Sequence, residues 1–369
     1  MSAPRSYDVT EISELDGFLG LESEWNELLD DSDSGLPFMR HDWFRIWWKH
    51  FGGGRRLSII IARREGRLVL AMPLQESRGA WLLLPFITLR SLTNAHSFRY
   101  HLALARGEEE SMQAAWKYLR KRPRAWHMLQ LERFETGLPA DRELLLAAKR
   151  GKHPVGVWHG GESPYLRLEG TWESYLASLK PKFRSNLRNR LKRLQQLGPI
   201  EFELVRERAA CDPALEDAFS IEQSGWKGEE GSAIGSDPAL KAFYTEWGEH
   251  AADEGWLRLW FLRLNGRRVA FEYDLEFRGT LYCMKIGYEP ELQPYAAGQV
   301  LKTGVLERAF QDGLREYNFL GVMDEAKRSW TSEGRPLQWV HVYNGSLLPR
   351  LHHAFKFALK RSLRRVLHR

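Results

Sequence analysis

The chain has 369 residues, 43% of them apolar and fifteen of them tryptophan, which excludes a disordered or low-complexity protein and leaves room for two cores. Cys211 and Cys283 are too few for a disulfide framework and lack zinc-site spacing, and no stretch approaches the length of a membrane span. The formal net charge of +6 permits an anionic ligand or surface without naming one, and the N-terminus lacks a basic region followed by an apolar run, so the expected location is the cytoplasm.

In chain order, "WFRIWW" at 43–48 places Trp43, Ile46 and Trp47 on one helical face and assigns them to a core. "FGGG" at 51–54 is a turn without the later glycine of a dinucleotide loop. Residues 55–75 read as strand, turn at Glu65-Gly66, strand, followed by a helix near 111–119 and a strand at "WHMLQLERF". Much later, residues 255–288 read as three strands joined by turns at Asn265-Gly266 and Arg278-Gly279, again followed by a helix, at 297–312, and a strand, "EYNFLGV". Two similar α+β halves account for this repetition. The expected boundary gives domains of 1–165 and 166–369.

Between the halves lies "LKPKFRSNLRNRLKRLQQLG". Thr171 suits an N-cap and Pro181 a first helical turn, so the spacing predicts a short helix, a break, and a second helix ending at Gly198. Leu176, Leu179, Phe183, Leu187, Leu191 and Leu194 form one apolar stripe. Lys180, Lys182, Arg184, Arg188, Arg190, Lys192 and Arg193 then face outward, as a solvated surface or as a site for a polyanionic substrate, with Arg184 the candidate contact. The glycine-rich "EQSGWKGEEGSAI" carries Trp226 and Lys227, candidate acceptor contacts in a binding loop.

In "VAFEYDLEF", Ala270, Glu272, Asp274 and Glu276 alternate onto one face. Such a face meets solvent or walls a cleft; in a cleft, Glu272 is placed to take a proton from an acceptor amine. The strand ending at Ile286, Gly287 and Tyr288 leads to Ala296, Ala297, Gly298 and Gln299, which open the 297–312 helix. Free amides at such a helix start attract phosphate, and small residues admit a ligand close to the backbone. The last segment, from Leu348, has Leu351, Phe355, Leu359, Leu363 and Val366 at helical spacing and no acid. It packs on its own domain, lies on an anionic membrane surface, or touches nucleic acid.

Motifs for serine hydrolases, zinc peptidases, P-loop NTPases and dinucleotide-binding folds are absent from the sequence. Acyl transfer from a thioester needs none of them: an amine attacks directly if it is held close and deprotonated while a backbone amide polarises the carbonyl. Strand, small-residue helix start and returning strand suit a coenzyme A pyrophosphate, with Ile286 and Gly287 as the source of the carbonyl-binding amide.

From about residue 23 to about 343 the chain resembles the GNAT acyltransferases of the FemAB-like type, in particular the CelD/BcsL group named after cellulose biosynthesis. The likeness rests on "EWNELLDDSDSGLPFMRHDWFRIWWKHFG", "LKPKFRSNLRNRLKRLQQLG", "RVAFEYDLEFRGTLYCMKIGY" with "PYAAGQVL", and "YNFLGVMDEAKRSW". In the last motif Asp324, Glu325, Lys327 and Trp330 keep the family's places, whereas Asn318 stands for Asp, Ala326 for Tyr, and two residues separate Gly321 from Asp324. The resemblance implies tandem GNAT-like α+β domains joined by basic helices, with mixed sheets flanked by helices and the donor site in the second domain. It further implies acyl-CoA as co-substrate without a metal, and a small-molecule, sugar or envelope-precursor acceptor on a polysaccharide pathway. Asp324 and Lys327 join Glu272 as catalytic candidates, and Tyr288 joins the acceptor contacts. The rival readings are an aminoacyl-tRNA-dependent transferase of the FemAB type and a non-catalytic scaffold held peripherally at the inner membrane face by the C-terminal helix.

Overall fold

The computed structural model describes residues 5–122, 125–225 and 234–367, with side chains of the final helix described as far as Phe357. The chain forms two compact units, one of residues up to Gly161 together with those from Pro336 onward, the other Glu162–Arg335.

The first unit begins with β1 (Asp8–Ile12), α1 (Leu15–Leu19), α2 (Glu22–Asp30) and α3 (His41–Phe51). Trp25, Trp43, Ile46 and Trp47 are fully buried, as the spacing in α3 requires. There follow β2 (Arg56–Leu57), β3 (Ile59–Arg64), β4 (Arg67–Met72), β5 (Leu74–Trp81), β6 (Leu84–Ser91), β7 (Ala103–Leu104), α4 (Glu110–Lys121), β8 (Met128–Glu135) and α5 (Pro139–Arg150). The predicted hairpin at Glu65-Gly66 is β3–β4, which lies in a sheet of order β1-β3-β4-β7. A second hairpin, β5–β6, is so tight that Trp81 pairs with Leu84 and only Leu82 and Leu83 form the loop. Both have positive φ, 50° and 64°, the region a two-residue hairpin demands and which asparagine and glycine normally fill.

The chain passes into the second unit along β9 (Val155–Arg167). That unit contains α6 (Trp172–Ser178), α7 (Pro181–Gln195), β10 (Ile200–Val205), α8 (Arg208–Ser224), α9 (Pro238–Asp253), β11 (Leu257–Leu264), β12 (Arg267–Phe277), β13 (Thr280–Tyr288), α10 (Ala297–Gln311), β14 (Glu316–Asn318) and the one-turn α11 (Glu325–Arg328). Thr171 caps α6 in a reciprocal capping box with Ser174, and Pro181 opens α7. Strands run β10-β11-β12-β13-β14-β9, antiparallel except for β13 and β14, the parallel pair that α10 connects. One face packs on α8 and α9, where Tyr273 meets Tyr244; the other packs on α6, α7 and α10 through Ala270, Val300, Leu301 and Val305.

β15 (Gly334–Tyr343) and α12 (Leu347–Leu367) close the chain. They correct the expected assignment of residues 166–369 to one domain. β15 pairs antiparallel with β8, from Leu337↔Glu135 to Tyr343↔Met128, which returns everything after Arg335 to the first unit. The basic helices likewise lie inside the second unit rather than joining the two. The chain crosses between units within β9 and near the start of β15.

The predicted stripe on α12 is the second correction. Leu351 and Phe355 face solvent, and the helix instead packs through His352, His353 and Phe357. Gly156 makes this possible, since a Cβ there would stand 1.9 Å from the Phe357 ring.

Candidate active site

The acidic face of β12 is not a solvent face. Glu272 and Asp274 point toward α10, where Lys302 interrupts a run of buried apolar residues, Val300, Leu301, Val305 and Leu306. Lys302 Nζ lies 2.6 Å from Glu272 Oε1 and 3.3 Å from Cys283 Sγ, and it also donates to the Tyr317 hydroxyl, which in turn donates to Glu272. Glu272 is 1% exposed. It therefore does not line an open cleft, contrary to the geometry that direct proton removal requires.

Glu272, Asp274 and Cys283 come close enough to hold a metal ion, but the Lys302 ammonium already fills the cation position. Burial opposes the charge on Lys302, and the surrounding Cys283, Glu272 and Asp274 outweigh it, raising its pKa above the ordinary value. Burial, then the neighbouring Glu272, pushes the Asp274 carboxyl well above the carboxylate range. Burial likewise raises Cys283 and Tyr317. The cluster thus fixes α10 to β12, β13 and β14 through one ion pair and neutral partners.

Above this anchor the sheet opens. β13 and β14 pair only from Thr280↔Glu316 to Tyr282↔Asn318, and among the described residues β13 then continues to Tyr288 without a parallel neighbour. A bulge contributes: Tyr273 pairs with Lys285 and Asp274 with Cys283, leaving Met284 as the extra residue, and such insertions bend and twist a strand. Ile286 is solvent-exposed and Gly287 half-buried on this part of β13, which pairs with β12 on its other side. Gly287 is tight on its other side, where a Cβ would meet the Phe271 ring at 2.5 Å.

The start of α10 faces the end of that stretch. A 3-10 turn at Pro290–Tyr295 ends in Ala296, whose left-handed backbone (φ 52°, ψ 48°) turns the chain into the helix. The amides of Ala297 and Gly298, at the first two helical positions, have no intrahelical acceptor by geometry. Ala297 is buried, and the Tyr288 ring lies close to Gly298, 3.1 Å from where a Cβ would stand. α7 supplies charge here: Arg190 donates to the Gln299 side chain, and the Arg193 guanidinium lies 5.1 Å from the Tyr295 ring centre. So the structure brings together Ile286, Gly287, Tyr288, Ala296, Ala297, Gly298 and Gln299.

The remaining candidates lie elsewhere. Arg184 donates to the Ala177 carbonyl, and Arg190 and Arg193 are the α7 cations at the helix start. Asp324 caps α11, accepting from the Lys327 amide at 2.8 Å, and its second oxygen is 3.5 Å from Lys327 Nζ. Lys327 Nζ also donates to the carbonyls of Leu320 and Val322. Trp226 and Lys227 fall outside the described residues. Sequence reasoning missed Lys302 and Tyr317 and singled out Arg184 rather than Arg190 from the α7 cations; a lysine at the buried register of α10 was the available signal for the first.

Residues 181–328 match the family model described as "Acetyltransferase (GNAT) domain". In sequence this segment is similar to GNAT domains. It spans α7 through α11 and contains the end of β13, the α10 start and the Lys302 anchor. The chain as a whole has a mixed α+β architecture, with sheets flanked by helices. FemX is similar in structure, with a TM-score of 0.58 at 11% identity over 90% of this chain and 96% of its own. So is the C-terminal domain of a putative lysylphosphatidylglycerol synthetase from Agrobacterium fabrum, with a TM-score of 0.52 at 10% identity over 89% and 92%. L-PGS from Bacillus licheniformis gives a TM-score of 0.52 at 12% identity over 91% and 95%. At these identities the likeness is one of fold. No curated protein matches the chain in sequence.

Proposed function

We propose that the protein transfers an acyl group from an acyl-CoA thioester to an amine, with a hydroxyl as the secondary class of acceptor. One observation carries this reading: β13 runs on past its last pair with β14 to a helix whose first two amides lack an intrahelical acceptor and whose small residues let a ligand reach them. In this reading the amides of Ala297 and Gly298 hold the pyrophosphate, with the Gln299 side chain and Arg190 beside it. The pantetheine arm lies along β13 beyond its last pair with β14, and the amide of Gly287 polarises the thioester carbonyl. The amine attacks the carbonyl carbon, its nitrogen loses a proton, the C–S bond breaks, and coenzyme A leaves as the thiolate and is protonated. Of the acids expected as base, Asp324 has the accessible carboxylate; Glu272 acts as a positioning residue through Lys302. Tyr288 contacts the incoming acceptor. The CelD/BcsL resemblance suggests an envelope or exopolysaccharide precursor as that acceptor.

Titration calorimetry with coenzyme A, acetyl-CoA and longer thioesters tests the donor. We expect binding by the wild type and loss of binding in Gly298→Glu, whose side chain would enter the phosphate position and collide with Tyr288. Unchanged binding in that variant overturns the proposed phosphate site, and no binding by the wild type overturns the acyl-CoA reading. The exposed cations of α7, Lys182, Arg188, Lys192 and Arg193, favour a second reading with aminoacyl-tRNA as donor. It predicts activity that ribonuclease abolishes.

A further inference from the structure

The β5–β6 hairpin breaks the usual rule for its own turn. Asparagine and glycine enter positive φ at little cost, yet Leu82 and Leu83 occupy both loop positions. Neither side chain is buried: Leu82 is 71% exposed, Leu83 98% and the following Leu84 51%. No packing in the unit accounts for leucine at these positions.

A second unpacked apolar row stands beside it. On α12, Leu347, Leu351 and Phe355 recur every four residues and so share one face, and they are 73%, 51% and 60% exposed. The two features are joined, because the Trp81 ring at the hairpin stem lies 5.1 Å from His352 and 6.4 Å from Phe355. Together they form an apolar ridge of a kind that single scattered surface leucines do not make.

Charge decides what covers this ridge. No acid occurs in residues 77–107, which include the hairpin tip, or in residues 334–369, which include α12. A cleft of about 840 Å³ beside α12 is lined by Lys149, Lys152 and Arg350 over Val155 and Val157, with no acid. The sequence after Phe357 adds Lys360, Arg361, Arg364, Arg365 and Arg369. Exposed leucines and aromatics on segments that carry cations and no acid complement a layer of acyl chains beneath anionic headgroups. A protein partner matched to this surface would have to supply acids without any basic counterpart on its side.

We propose that the Leu82–Leu84 hairpin tip and the Leu347, Leu351 and Phe355 face of α12 form a docking surface for an anionic phospholipid membrane. The tip inserts among the acyl chains, α12 lies in the interfacial plane, and the flanking lysines and arginines meet phosphate. This surface belongs to the first unit and does not depend on the identity of the acyl donor.

Vesicle flotation of the full chain tests it, with phosphatidylcholine alone against phosphatidylcholine mixed with phosphatidylglycerol. The wild type is expected to float with the anionic vesicles only, and less so as salt is raised. The informative variant is Leu82→Asn/Leu83→Gly, which installs the sequence a two-residue turn prefers. It is expected to melt no lower than the wild type while its vesicle affinity falls by roughly tenfold or more. Equal flotation of this variant, or no wild-type binding to anionic vesicles at low salt, overturns the proposal. So does a wild-type dimer in light scattering that the variant dissociates without any vesicle binding, which would make the ridge an interface between copies.

Discussion

Lys302 Nζ lies 2.6 Å from Glu272 Oε1, and both side chains are sealed between α10 and β12. Removing one partner strands a buried charge, whereas removing both leaves an apolar contact. Lys302→Met is therefore expected to cost about 3–5 kcal/mol, and adding Glu272→Leu to restore most of it. Urea unfolding of the two variants checks this; a single variant as stable as the wild type would show that the pair does not hold α10.

His341 is buried, and burial, followed by the charge of Lys356, lowers its pKa from 6.5 to about 3. Between those values an unfolded chain takes up a proton that the folded chain refuses. Stability is thus expected to fall as pH drops through that window, at up to about 1.4 kcal/mol per pH unit for this one group. Denaturant midpoints at successive pH values should show a shallower dependence in His341→Phe than in the wild type.

Gly156 leaves the space that the Phe357 ring fills. Gly156→Ala is expected to displace α12 at a cost of about 1–3 kcal/mol. Limited proteolysis should then cut within residues 347–367 at protease concentrations that spare the wild type.

Arg190 reaches Gln299 at the α10 start, while Arg184 reaches only the Ala177 carbonyl. If coenzyme A phosphates bind there, Arg190→Ala should weaken binding about tenfold, the scale of one lost charge-assisted hydrogen bond. Arg184→Ala should leave it unchanged. Calorimetry on both variants separates a local phosphate contact from a general loss of positive charge.

Much of the second unit was legible because its signals are local. The Asn265-Gly266 and Arg278-Gly279 turns fix the β11–β12–β13 meander, Thr171 and Pro181 mark two helix starts, and the small residues before Gln299 mark a third. What sequence could not decide was which side of β12 is covered. Alternation gave Glu272 and Asp274 a common face, but only α10 packing over them distinguishes an acid in a cleft from one in a core. The return of β15 to β8 was illegible for a related reason: strand partners separated by about two hundred residues leave no trace in composition or spacing. On α12, an apolar period left open what covers it, and Leu351 and Phe355 show that periodicity reports amphipathicity without naming the phase on the other side.

Because Glu162–Arg335 sits in sequence between two parts of the other unit, the molecule has a built-in order of assembly. A growing chain can complete the inserted unit while β8 still presents an open edge with its apolar Leu129, Leu131 and Phe134, since the strand that covers it is synthesised after the whole insert. A nonsense codon after residue 335 would therefore release a well-folded insert tethered to a sticky, unfinished sheet, and chaperone demand should peak before β15 emerges.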